Sequence, residues 1–129
     1  MFTWPGKAGT VEDKKTTPLT PEQQQRFLQG KELYVISCGA CHQPHGNGME
    51  GLAPPLAETE WVLGPEARLV RIALHGVRGP ISVKGQTFQL EMPAFGIFDD
   101  EQLAAILTYI RREWGHAANP IEPATVARI

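Results

Sequence analysis

The chain has 129 residues, a length suited to one domain with a single core. Apolar residues make up 42% and charged residues 20%, and the net charge of −2 comes from interspersed signs, which excludes a basic nucleic-acid surface. No apolar run reaches the roughly 18 residues a membrane-spanning helix needs, and the start, MFTWPGKAGTVEDKK, lacks the apolar centre of a secretion signal.

Residues 1–19 mix Gly, Pro, Lys and Thr without period and read as an N-terminal arm or linker. LTPEQQQRF then marks a helix start, with Thr20 as N-cap, Pro21 at the first helical position and Gln23 completing a capping box. Phe27, Gly30, Tyr34 and Cys38 recur at helical spacing and predict a helix over 21–38. Gly30 is out of place there, because a mid-helix glycine costs about 1 kcal/mol against alanine; a close-packed neighbour would explain it. From Gln43 to Leu63 the Gly- and Pro-rich chain has no period, so a long functional loop is expected. PEARLVRIALHG predicts a second helix, opened by Pro65 and closed by Gly76. ISVKGQTF alternates around Lys84-Gly85 and predicts a small hairpin. DDEQLAAILTYIRREWG is the strongest helix pattern. Asp99 caps it, acids fill its first turn, Arg111 and Arg112 its last, and Gly115 ends it. Its apolar stripe is Leu103, Ile106, Leu107, Ile110 and Trp114. The domain is thus expected over 20–116, with 117–129 an extended tail across the surface.

The reactive side chains crowd into SCGACHQPHG, which holds both cysteines and two of the four histidines. A disulfide between Cys38 and Cys41 would restrict the unfolded chain little, because the loop is so short. Cys38, Cys41 and His42 fit C-x-x-C-H, the pattern of covalent haem attachment. Positions i, i+3 and i+4 share one face of a helical turn, so two thiols can meet one edge of a haem while the imidazole reaches the iron. Gly39 and Ala40 are small enough for the backbone to lie against the ring. A thioredoxin-like C-x-x-C would need a preceding strand, a zinc site would need a second ligand pair, and chance occurrence of a short pattern remains a third alternative. Aromatic residues are only 8%, so a large flat group in the core would have to come from outside the chain. A second iron ligand has candidates in Met49, Met92, His45, His75 and His116. His45 and Met49 follow the motif too closely to cross to the other face. Met92 stands in an irregular stretch where Pro93 keeps it out of helix; its plain alternative is a core methionine.

With these residues in place the sequence resembles a class I c-type cytochrome in its bacterial form, over roughly 22–114. Gly30 and Tyr34 precede Cys38 as the family's glycine and first-helix aromatic do, and Tyr109 in LTYI resembles the last-helix aromatic that crosses them. APPL resembles the segment whose proline carbonyl, here Pro54, accepts a hydrogen bond from the ligand histidine, here His42. Met92 in MPAF resembles the axial methionine. The resemblance implies an all-α cytochrome c fold, about three to five helices around one covalently bound haem c, with the hairpin and tail as additions. HGVRGPISVKGQTFQLEMPAF and TYIRREWG also resemble haem domains found beside bacterial sugar or alcohol dehydrogenases.

The remaining site candidates carry two readings each. Trp61 could offer its indole N–H to a haem propionate or simply pack in the core. Arg68, Arg71 and Arg78 could neutralise propionates or lie on a wet helix face, Arg78 being the best placed beside Gly79. His75 suits a helix C-terminus, and His116 is expected in solvent. Leu56, Phe88, Phe95 and Phe98 are expected to line the haem pocket. His42 and Met92 on the iron would leave no vacant site, which implies an electron carrier rather than an enzyme, receiving electrons from a dehydrogenase and passing them to an oxidase or another cytochrome. A displaceable Met92 would instead suit a haem-based sensor. The resemblance further implies a periplasmic or extracytoplasmic location, with the signal absent from this chain, and a monomer or a domain of a larger protein.

Overall fold

Two capping boxes set the frame of the fold. Thr20 Oγ1 accepts from the Gln23 N–H at 3.2 Å while Gln23 Oε1 accepts from the Thr20 N–H at 3.0 Å, opening α1 (Pro21–Ile36). Asp99 and Gln102 repeat the arrangement at 2.7 and 3.0 Å and open α5 (Asp100–Arg112). These helices belong to a computed structural model that describes residues 17–50, 52–89 and 91–129, so most of the arm expected at 1–19 lies outside the described residues.

The two helices cross at Gly30. A Cβ there would lie 1.9 Å from the Ala105 carbonyl oxygen and 3.0 Å from Tyr109 Cβ, so the neighbour that Gly30 required is the backbone of α5. The close approach brings Tyr109 against Phe27 and Tyr34, with ring centroids 5.2 Å apart in both pairs. α5 is buried along nearly its whole length, and Tyr34, Leu103, Leu107 and Ile110 centre the core.

The helix expected over 21–38 ends two residues sooner, at Ile36. Ser37 Oγ donates to the Leu33 carbonyl at 2.6 Å and its N–H to the Tyr34 carbonyl, which tightens and ends α1. A separate turn, α2 (Gly39–His42), folds back so closely that a Gly39 Cβ would stand 3.0 Å from the Tyr34 carbonyl oxygen. The long loop also contains one turn, α3 (Glu60–Leu63), capped by Thr59, before α4 (Glu66–His75). Strands β1 (Ile81–Val83) and β2 (Gln86–Phe88) then pair antiparallel, with Ile81 opposite Phe88 and Val83 opposite Gln86. Lys84 and Gly85 both have positive φ, 49° and 81°, which matches the twist of a two-residue hairpin turn.

The tail is not simply extended. Pro123 opens α6 (Pro123–Arg128), which packs on α5 through Val126, with Ile121 fully buried just before it. Glu122 pairs with the buried Arg26 of α1 at 3.2 Å, so the tail closes the core instead of crossing the surface. The described residues therefore hold six helices and one hairpin, against the three to five helices expected, because short turns form wherever a cap and one apolar contact coincide.

α5 also ends sooner than its pattern suggests, at Arg112, and Trp114 leaves the helix with φ 56°. Arg111, in the last turn of α5, has no exposed area. Its guanidinium donates to the carbonyls of Val62 at 2.9 Å, Gly64 at 2.8 Å and Asn119 at 2.8 Å. It thereby ties the end of α3 and the tail to α5. Arg111→Leu keeps the apolar stem but leaves buried carbonyls without a donor, each at roughly 1–3 kcal/mol. The expected result is a clear fall in the denaturant midpoint; an unchanged midpoint would count against this tie.

Candidate functional site

The turn α2 places the three motif residues at one rim of a cleft. His42 N–H and Cys41 N–H both donate to the Cys38 carbonyl, at 2.9 and 3.2 Å, so Cys38, Cys41 and His42 share one turn of chain and all border the same space. His42 is 7% exposed. Its Nδ1 lies 2.8 Å from the Pro54 carbonyl oxygen, an atom that can only accept, so the ring proton sits on Nδ1. Burial lowers the His42 pKa, and the Pro54 bond opposes that only in part. The ring is thus neutral, with the Nε2 lone pair available to a metal. Burial pushes the Cys38 thiol up, an effect the neighbouring Ser37 hydroxyl partly opposes. Cys41 is exposed, and both thiols are free.

Pro54 is itself held. Leu56 N–H and Ala57 N–H donate to the Gly46 carbonyl at 2.6 and 2.9 Å, and Met49 N–H to the Ala53 carbonyl at 3.0 Å. A Cβ on Gly48 would meet the Ala53 carbonyl oxygen at 2.3 Å, so the loop after the motif folds tightly on the segment that carries Pro54.

The cleft beside the motif is bordered by residues of α2, α3, α4 and α5 and of the hairpin. Its walls are apolar. α5 supplies Leu103, Ile106, Leu107 and Ile110, α4 supplies Leu69, Ile72 and Ala73, and the hairpin supplies Ile81, Val83 and Phe88. Met92, Leu56 and Phe95 border it as well. Met92 is anchored by its backbone, its N–H donating to the Val77 carbonyl at 2.8 Å and its carbonyl accepting from Val77 N–H at 3.0 Å. Next to this bridge, a Cβ on Gly76 would lie 2.4 Å from the Met92 carbonyl oxygen. Trp61 borders the cleft with its ring, but its indole N–H donates to the Ser82 carbonyl at 2.8 Å. That N–H is spent on the hairpin rather than turned to a propionate. Arg68 is buried over the Trp61 ring, 4.7 Å from its centroid.

Several expected residues stand elsewhere. Arg78 is 61% exposed and does not itself line the cleft, although Glu91, its partner at 3.3 Å, does. Phe98 stacks behind Phe95, ring centroids 6.1 Å apart, and packs on the core instead of the cleft. His45 and His75 are exposed. His116, expected in solvent, is buried and hydrogen-bonded through both ring nitrogens. The cleft walls from α4, and Ile81 and Val83 of the hairpin, went unassigned in the sequence, although the apolar positions of PEARLVRIALHG were a usable signal.

The side chains present fit a haem. Two thiols and a neutral imidazole on one turn border a large apolar cleft with a methionine in its wall, and that donor set matches covalent attachment plus iron ligation. Comparison with known proteins points the same way. A family described as cytochrome C oxidase, cbb3-type, subunit III matches residues 25–110. Two cytochromes c-552 from Thermus thermophilus are each 37% identical over 92 residues, 68% of this chain and 70% or 62% of theirs. The gluconate 2-dehydrogenase cytochrome c subunit of Pantoea cypripedii is 36% identical over 95 residues, 69% of this chain and 21% of its own length. The alcohol dehydrogenase (quinone) cytochrome c subunit of Gluconobacter oxydans is 29% identical over 125 residues, 95% of this chain and 25% of its own. The chain therefore spans about a fifth to a quarter of the dehydrogenase subunits it matches.

Proposed function

This chain belongs to the monohaem c-type cytochromes, in the family of cbb3-type cytochrome c oxidase subunit III, and we propose that it carries one electron on a haem c linked to Cys38 and Cys41. In this reading His42 and Met92 would hold the iron. When bound, the haem iron supplies a one-electron couple between its ferric and ferrous states. The observation that carries the reading is the His42 imidazole, proton on Nδ1 and clamped by Pro54 at 2.8 Å, beside two free thiols at an apolar cleft.

The chain's own residues account for the rest. The Pro54 carbonyl fixes the tautomer and the orientation of His42, and raises its strength as a ligand. A thioether from Met92 is soft and uncharged, which favours the ferrous state. Walls built from α4, α5 and the hairpin exclude water, which disfavours added positive charge and pushes the potential in the same direction. Because the ligands come from a rigid turn and a backbone bridge, little need rearrange when the electron moves. No side chain is asked to act as acid, base or nucleophile.

Likeness to two dehydrogenase cytochrome subunits supports a dehydrogenase as electron donor, with an oxidase or another cytochrome as acceptor. Bacterial c-type cytochromes are typically extracytoplasmic, and we place this chain in the periplasm on that ground. No helix among the described residues is long and apolar enough to cross a membrane. Expression alongside a haem-attachment system is expected to give a red protein whose mass is that of the chain plus one haem, even after denaturation. A colourless product with the mass of the bare chain would defeat the reading.

A further inference from the structure

Both nitrogens of the buried His116 ring have partners on different parts of the fold. Nδ1 lies 2.7 Å from the Ile110 carbonyl oxygen, near the end of α5. That oxygen can only accept, so the ring carries its proton on Nδ1 and presents a lone pair at Nε2. Glu58 N–H donates to this lone pair at 2.8 Å. The ring thus joins the end of α5 to residue 58, a short step along the chain from the Pro54 carbonyl that clamps His42. Trp114 assists from the same end of α5. It stands edge-on to His116 with centroids 5.8 Å apart, and its indole N–H donates to the Pro44 carbonyl at 3.0 Å. A Cβ on Gly46 would meet the indole at 2.5 Å, so Trp114 seats the loop that receives the Leu56 and Ala57 N–H groups. Two stretches that follow His42, one at Pro44 and Gly46 and one at Glu58, are therefore gripped from the end of α5.

We propose that His116 is a positioning residue for His42: in its neutral form it latches the Pro54–Glu58 stretch to α5, and its protonation opens the latch. The role rests on His42 being the iron ligand proposed above. A proton added at Nε2 would set two donors, the ring N–H and the Glu58 N–H, against each other at hydrogen-bond distance. The bond would be lost and a backbone N–H left without its acceptor. Charged groups around the ring act in both directions. Glu58 and Glu113 favour the protonated ring and Arg111 opposes it, while Arg112 lies beside it with Phe27 and Gln24 of α1. Burial is the largest influence and lowers the His116 pKa, so the latch is closed at neutral pH. In the unfolded chain the same histidine takes up its proton near pH 6.5. Between that pH and the lower folded value the unfolded state binds more protons. The stability due to the latch is complete above that window and declines as pH falls through it.

The test uses the haem-loaded protein, with thermal midpoint, reduction potential and the His116 ring proton resonance of the reduced form followed between about pH 4 and 8. The midpoint should fall between about pH 6.5 and the folded His116 titration, and the potential should shift along that titration. His116→Gln, whose side-chain oxygen can accept from Glu58 without titrating, should lose that shared acid-side change. At neutral pH His116→Leu should resemble the acid form, with a lower midpoint and a displaced potential. If the potential stays flat while the ring titrates, or if His116→Gln keeps the full acid-side change, the latch is rejected. Absorbance distinguishes the other failure: protein without haem in every variant would remove the haem reading, and the positioning role with it.

Discussion

Gly30→Ala is expected to strip the haem-loaded protein of a large part of its stability. The added Cβ would sit 1.9 Å from the Ala105 carbonyl oxygen and 2.5 Å from its carbon. Both are backbone atoms in the middle of α5, so no side chain can swing aside. The helices would have to separate, which loosens the Phe27–Tyr109 and Tyr34–Tyr109 ring contacts that now stand at 5.2 Å. Alanine recovers about 1 kcal/mol of helix propensity. Overpacking of a rigid site costs roughly 1–3 kcal/mol and sometimes more, and here the clash is with the backbone itself. A drop in thermal midpoint on the order of 10 °C is expected, followed by circular dichroism. Gly85→Ala is the control, since its Cβ meets nothing within 4 Å and only the positive φ is strained. Equal midpoints for the Gly30 variant and the unchanged protein would show that the crossing has slack and would sink this account.

Met92→Ala is expected to leave the haem attached and change its chemistry. Cys38, Cys41 and His42 are untouched by the substitution, and the bridge between Val77 and residue 92 uses backbone atoms only, so the segment should keep its place. What goes is the thioether in the cleft wall. If Met92 is the axial ligand, the reduced variant should bind carbon monoxide, which the unchanged protein should refuse. The potential should fall on the order of 100 mV, within the roughly 0.8 V range that axial ligands command. An unaltered visible spectrum, together with indifference to carbon monoxide, would remove Met92 from the iron. Carbon monoxide added to the unchanged reduced protein separates the carrier from a sensor, because a sensor would bind the gas with Met92 still present.

Much of the frame was legible because its signals are local. Thr20 with Gln23, and Asp99 with Gln102, announce helix starts through bonds three residues apart. Lys84-Gly85 announces a hairpin through the conformations those residues tolerate. Gly30 declared a close neighbour by being costly where it stands. Other features depend on partners far along the chain. Arg111 followed the rule for a last-turn cation, yet its donors turn inward to Val62 and Gly64. Nothing near His116 in sequence announces that Glu58 will donate to it. Arg78 had a plausible loop position but found Glu91.

The order of residues by itself determined the attachment motif, the three main helices, the hairpin and the proline–histidine pairing that the family resemblance implied. The motif, the helices and the hairpin follow from spacing within a turn or from short patterns in the chain, whereas the pairing came only through the resemblance. Only the tertiary structure decided which walls close the cleft, that α6 completes the core, and that Trp61, Arg111 and His116 spend their polar groups on backbone carbonyls and amides. The physical reason is that buried polar groups must find partners once water is removed, and where those partners lie is fixed by packing between distant segments rather than by the residues beside them.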